Sequence, residues 1–88
     1  MSPRSFLAWR CRRGTRELDL LLQAYMERAY DSAGAQERSC FAGLLQRSDE
    51  DLRRLLFGRP DEREPALLAL IGQIHAAAAH HAEAFRNT

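Results

Sequence analysis

The chain has almost no material for a β-sheet: valine is absent, and the only β-branched residues among 88 are Thr15, Ile71, Ile74 and Thr88. Pleated surfaces select branched side chains, whereas the thirteen leucines and fourteen alanines that supply most of the apolar mass here favour helix. The sequence predicts an all-α fold, a compact five-helix bundle forming a single small domain over residues 1–88. A chain of this length buries only about 60% of its unfolded surface, too little to enclose a deep active site beside a core. A binding module is favoured over an elaborate enzyme.

Capping and periodicity divide the chain into five helical pieces. Ser2 and Pro3 suit a cap and first turn, predicting a short helix over about 4–13 with Phe6 and Trp9 on one side, stopped by Gly14. Thr15 can cap a second helix whose Leu18, Leu21, Leu22, Tyr25 and Ala29 form one apolar stripe. Residues 31–34 read as a turn. A third helix follows with Cys40, Phe41, Leu44 and Leu45 inward and Glu37 and Arg38 on its outer side. Ser48 opens Ser-Asp-Glu-Asp, a cap followed by three acids where the helix dipole is positive; the fourth helix then carries Leu52, Leu55 and Leu56 and ends at Gly58 and Pro60. The fifth starts near Asp61 or is reset at Pro65, running to about residue 86 with a stripe of Leu67, Leu70, Ile71, Ile74, Ala78, His81 and Phe85.

All thirteen basic residues are arginine, and they are unevenly spread. Arg4, Arg10, Arg12, Arg13 and Arg16 fall in a stretch with no acid, while residues 17–88 hold eight arginines against twelve acids, a net −4. A basic face on an acidic body suits an anionic partner: nucleic acid, a phosphate-bearing cofactor, or a carboxylate-rich protein surface. No apolar run reaches the roughly 20 residues of a membrane span, and no apolar segment follows the basic start as a secretory signal requires. The expectation is a soluble, intracellular protein without membrane insertion. Cys11 and Cys40 lack the spacing of a disulfide framework or zinc site and read as reduced thiols.

Chemistry-bearing patterns are scarce. His75, His80 and His81 stand five, six and one apart, whereas ligands on one helix face need spacings of three or four, so no metal site is expected. There is no phosphate loop, nucleophile elbow or paired Cys/His nucleophile, and no catalytic residue is assigned. What remains is WRCRRGTRELD. A turn at Gly14 places Arg13 and Glu17 at one corner, where each sits at the helix end that favours its charge. They read equally as dipole-compatible caps, with Trp9 in the core, or as an exposed pair flanking a glycine that admits a partner's backbone.

That segment resembles the hallmark Arg-Gly-x-x-Glu of the FAD assembly factor family of succinate dehydrogenase, here Arg13-Gly14-Thr15-Arg16-Glu17. YMERAYDS resembles the family's acidic-Tyr-Asp segment, and FAGLLQRSDEDLRRLLFGRP its Phe-x-x-Leu-Leu, Asp-x-Asp-Leu and Gly-x-Pro pattern, so the likeness covers about residues 9–60. Leu55 stands where the family usually has tryptophan, and Pro65 interrupts a plain helix start. The resemblance implies a non-catalytic chaperone; with no presequence ahead of the family-like core, a bacterial cytoplasmic protein is expected, and a monomer when free. It would bind the flavoprotein subunit of succinate dehydrogenase or fumarate reductase and promote covalent FAD attachment there, FAD remaining the client's cofactor. It also implies partner-binding roles for Arg13, Gly14 and Glu17 first, then for Arg12, Arg16, Arg10 and Trp9, with Asp19 either a weaker contact or a surface residue of the second helix. The competing reading is a small helical nucleic-acid-binding or antitoxin-like regulator that sets the same arginines on phosphates.

Overall fold

Five α-helices follow one another in the computed structural model: α1 (Pro3–Arg10), α2 (Arg16–Arg28), α3 (Ala35–Leu44), α4 (Asp49–Phe57) and α5 (Pro65–Arg86), with a single 3-10 turn at Tyr30–Ser32 between α2 and α3. The structure describes residues 2–58 and 64–86, with side chains at all of these except 3 and 80–86. Among the described residues there is no strand. The shortage of branched side chains thus has the consequence expected of it.

The caps behave as the sequence dictates at two sites and differently at two. Ser2 accepts from Ser5 N–H and Ser48 from Asp51 N–H, each satisfying a helix's first orphan donors. Thr15 occupies the N-cap of α2, yet its hydroxyl makes no capping bond. Gly58 ends α4 without entering the left-handed region (φ −99°); a Cβ there would lie 2.8 Å from the Arg54 carbonyl oxygen, so the close approach is what demands glycine. The fifth helix begins at Pro65, the later of the two expected starts, where the absent N–H is an orphan in any case.

α2 and α5 are the central pair, with α3 and α4 packed against them. The core runs through Leu18, Leu22 and Tyr25 of α2, Phe41 and Leu44 of α3, Leu52 and Leu55 of α4, and Leu70 and Ile74 of α5. In α5 the buried alanine is Ala77, with the expected Ala78 only packed alongside; the side chains of His81 and Phe85 lie outside the described residues. Leu55 is fully buried.

Two residues expected on the outer side of α3 are engaged instead. Glu37 accepts a hydrogen bond from the Tyr25 hydroxyl at 2.6 Å, and burial together with that carboxylate raises the phenol well above its usual range, so it stays a donor. Arg38 lies 4.7 Å above the Tyr30 ring and donates to the carbonyls of Tyr30 and Asp31. A core aromatic carries its polar end with it, and the neighbouring helix must supply the partner.

Both cysteines are free thiols. Burial pushes Cys11 from 9.0 up to about 12, the nearby Arg13 charge only partly opposing it. A thiol that burial keeps neutral favours the folded state until pH passes the unfolded value. Stability is therefore expected to fall as pH rises from about 9 towards 12, and the fall should be smaller in Cys11→Ala. Melting temperatures at pH 8 and pH 10.5 check this, and iodoacetamide at pH 8 should spare Cys11 until the chain is unfolded.

Candidate functional site

The corner between α1 and α2 is built from consecutive local devices. After α1 the chain makes one more turn, Cys11 N–H donating to the Leu7 and Ala8 carbonyls and Arg12 N–H to that of Trp9. Gly14 then takes φ +85°, a conformation that is strained for any residue with a Cβ, although open space surrounds it. Thr15 is extended and α2 begins. Asp19, in the first turn of α2, reaches back over the bend to accept Arg13 N–H at 2.7 Å. This carboxylate, rather than the Thr15 hydroxyl, ties the turn to the helix.

Arg13 requires a correction. It was expected to project from the corner beside Glu17, but its guanidinium turns inward, with a side chain only 14% exposed. Nε donates to Asp49 Oδ1 at 2.8 Å, Nη1 to the Leu45 carbonyl at 2.7 Å, and Nη2 to the Arg47 carbonyl. The reason is electrostatic. The end of α3 leaves carbonyls without helical partners and is the negative pole of its dipole, while Asp49 opens α4; a planar fork of donors satisfies all three at once.

Glu17 does project. Its side chain is 64% exposed, and an Arg53 nitrogen stands 3.7 Å from its carboxylate in a water-exposed pair of little energetic weight. Trp9 is 61% exposed, which removes the core alternative for it; the residues of α1 that enter the core are Leu7 and, just past the helix, Cys11. Phe6, also exposed, stacks near the indole with centroids 6.5 Å apart, and Arg10 lies 5.6 Å over the Phe6 ring. Arg12 and Arg16 are exposed. Trp9, Arg10, Arg12 and Arg13 together border a shallow surface groove.

The structure therefore brings Trp9, Arg12, Gly14, Arg16 and Glu17 to one outward corner and sets Arg13 and Asp19 behind it, while Arg10 is half-buried and its Nη2 donates to the Leu45 carbonyl at 3.4 Å. Sequence reasoning missed Asp49, which had been seen only as a first-turn acid, and Phe6 as part of the exposed aromatic pair. No local pattern announces Asp49, because its partner lies 36 residues away. Among the described residues no group of three His, Cys, Asp or Glu is arranged to hold a metal, and His75 Nε2 lies 2.7 Å from the Leu56 carbonyl, linking α5 to α4. None of the helices, as far as described, is long and apolar enough to cross a membrane.

Comparison with known proteins converges on one family. The profile of a family described as flavinator of succinate dehydrogenase matches residues 6–78. The FAD assembly factor SdhE of Methylococcus capsulatus is 45% identical over 76 residues, covering 86% of this chain and 92% of that protein. Those of Photobacterium profundum and Pectobacterium atrosepticum are 36% and 34% identical, covering 83% and 81% of each chain. No solved structure matches.

Proposed function

Because the chain belongs to the family of flavinators of succinate dehydrogenase, we propose that it binds the flavoprotein subunit of that enzyme, and of the related fumarate reductase, and promotes covalent attachment of FAD there. It acts as a monomer in the bacterial cytoplasm and without an active site of its own. FAD stays with the client. The bond-forming chemistry belongs to the flavin and the flavoprotein, and the factor contributes by holding the client where the reacting groups meet. Orientation of this kind lowers a barrier by several kcal/mol.

The single observation that supports this reading is the corner itself. A carboxylate, Glu17, and an aromatic, Trp9, stand exposed on either side of a left-handed glycine with open space around it. A partner's backbone can approach Gly14 closely, the indole offers apolar area, and Arg10, Arg12 and Arg16 surround the contact with positive charge. The exposed side of α1 carries Phe6 and Trp9 rather than a row of arginines, which favours a protein surface over a phosphate backbone.

Glu17→Ala and Gly14→Arg are expected to leave the factor folded, since the first removes an exposed side chain and the second strains a bend open to solvent by about 1–2 kcal/mol. Both should reduce covalent flavin in a co-expressed flavoprotein subunit, read by in-gel fluorescence. Normal flavinylation with both variants would remove the corner from the mechanism. Binding should also weaken as salt is raised from low ionic strength past 0.15 M, where charges more than about 8 Å apart are screened.

A further inference from the structure

We propose that Asp49, on α4, is a positioning residue for the Arg13–Glu17 segment: it fixes the Arg13 guanidinium, and through it the bend that presents Gly14 and Glu17 to a client. The inference rests on the function proposed above.

Arg13 is held by groups from the α3–α4 region. Its donors are spent on three acceptors of its own chain, the Leu45 carbonyl just past α3, the Arg47 carbonyl in the connection, and the Asp49 carboxylate at the first position of α4. Asp49 is the one charged acceptor of the three. Without it a largely buried cation is left with carbonyls alone, and a cation deprived of its counter-charge seeks water. The backbone of the same residue is tied on the other side, its N–H donating to Asp19, and the next residue is Gly14 at φ +85°. Arg13 is thus pinned by side chain and main chain at the point where the path turns. Loosening either tie lets a glycine bend sample other directions, and Glu17, three residues on, loses its fixed placement.

The rival role for Arg13, direct contact with the client, predicts the opposite sign. If Arg13 had to swing out to reach the client, Asp49 would hold it back, and removing Asp49 would leave binding unchanged or tighter. If Arg13 works by holding the bend, removing Asp49 weakens binding, because only a fraction of molecules then present a competent corner.

The test titrates apo flavoprotein subunit and FAD with the full-length factor, as wild type, Asp49→Ala, Arg13→Ala and the double variant, and reads covalent flavin against factor concentration. Asp49→Ala should raise the half-saturating concentration about tenfold with the plateau unchanged. The double variant should be no worse than Arg13→Ala alone, since both break one tie. Amide hydrogen exchange should quicken at Arg13 and stay slow at Tyr25. If the alanine variant does not fold, Asp49→Asn decides, with a rise of about threefold expected. An unchanged or lowered half-saturating concentration, or additive losses in the double variant, overturns the proposal. Glu17→Ala run in parallel separates the failures: if it too is without effect, the functional reading falls; if it alone impairs flavinylation, only the role of Asp49 does.

Discussion

Phe41→Ala is expected to cost about 3–5 kcal/mol and to leave a substantial fraction of the protein unfolded at 37 °C. The ring is fully buried and lies against two others, 4.4 Å from Tyr25 and 6.1 Å from Tyr30 between centroids. Alanine removes the transfer energy of the ring, the aromatic contacts and the support that keeps the Tyr25 hydroxyl aimed at Glu37. A domain of 88 residues has roughly 4–13 kcal/mol in total. Urea denaturation followed by circular dichroism measures the shift, with Phe6→Ala as the control: that ring is 45% exposed and its loss should change the midpoint little. Similar shifts in the two variants would contradict the assigned core.

The second large effect is expected where the chemical change is smallest. Arg13→Lys keeps the charge but replaces a planar fork by a single ammonium, which cannot serve the Asp49 carboxylate and the Leu45 and Arg47 carbonyls together. Losing partners for part-buried acceptors costs about 1–3 kcal/mol. Arg12→Lys, one residue earlier, alters an exposed side chain and should stay within about 0.5 kcal/mol. Chemical denaturation of the pair gives the comparison directly. Equal, small effects would show that the inward bonds of Arg13 contribute nothing to stability.

Most of the helical plan was legible because its causes are local. Ser2 and Ser48 cap, Gly14 breaks, Pro65 starts, and the stripe Leu18, Leu22, Tyr25 repeats at helical spacing, each depending on residues within a turn or two. The site was legible only in part. The family likeness of Arg13-Gly14-Thr15-Arg16-Glu17 marked the right corner, and Glu17 and Trp9 stand exposed there. Which of the arginines faces outward was not readable, since Arg12 and Arg13 are chemically identical and adjacent. What separates them is the unpaired end of α3, brought close by tertiary packing across more than thirty residues. Glu37 illustrates the same limit: polar and at an outer position in the pattern, it is half-buried because Tyr25 needs an acceptor. Periodicity reports which face is apolar, not which polar group on the boundary a neighbour has recruited.

The way α1 is attached has a consequence for the order in which the molecule comes apart. Of its described side chains Leu7 enters the core, with Ala8 packed alongside and Cys11 buried just past the helix; its other long-range ties are polar, Arg4 to the Asp31 carboxylate and the Met26 carbonyl at one end, Arg10 to the Leu45 carbonyl at the other, and the Arg13 bonds beyond it. The Arg4–Asp31 pair is well exposed and of small weight. An element with few apolar anchors opens at a free energy well below that of the whole domain. Residues 3–10 are therefore expected to detach while the α2–α5 pair stays intact. Salt also weakens the Arg4–Asp31 pair, so a rise in ionic strength is expected to loosen slightly the segment that bears Trp9 at the same time as it slows encounter with the proposed client.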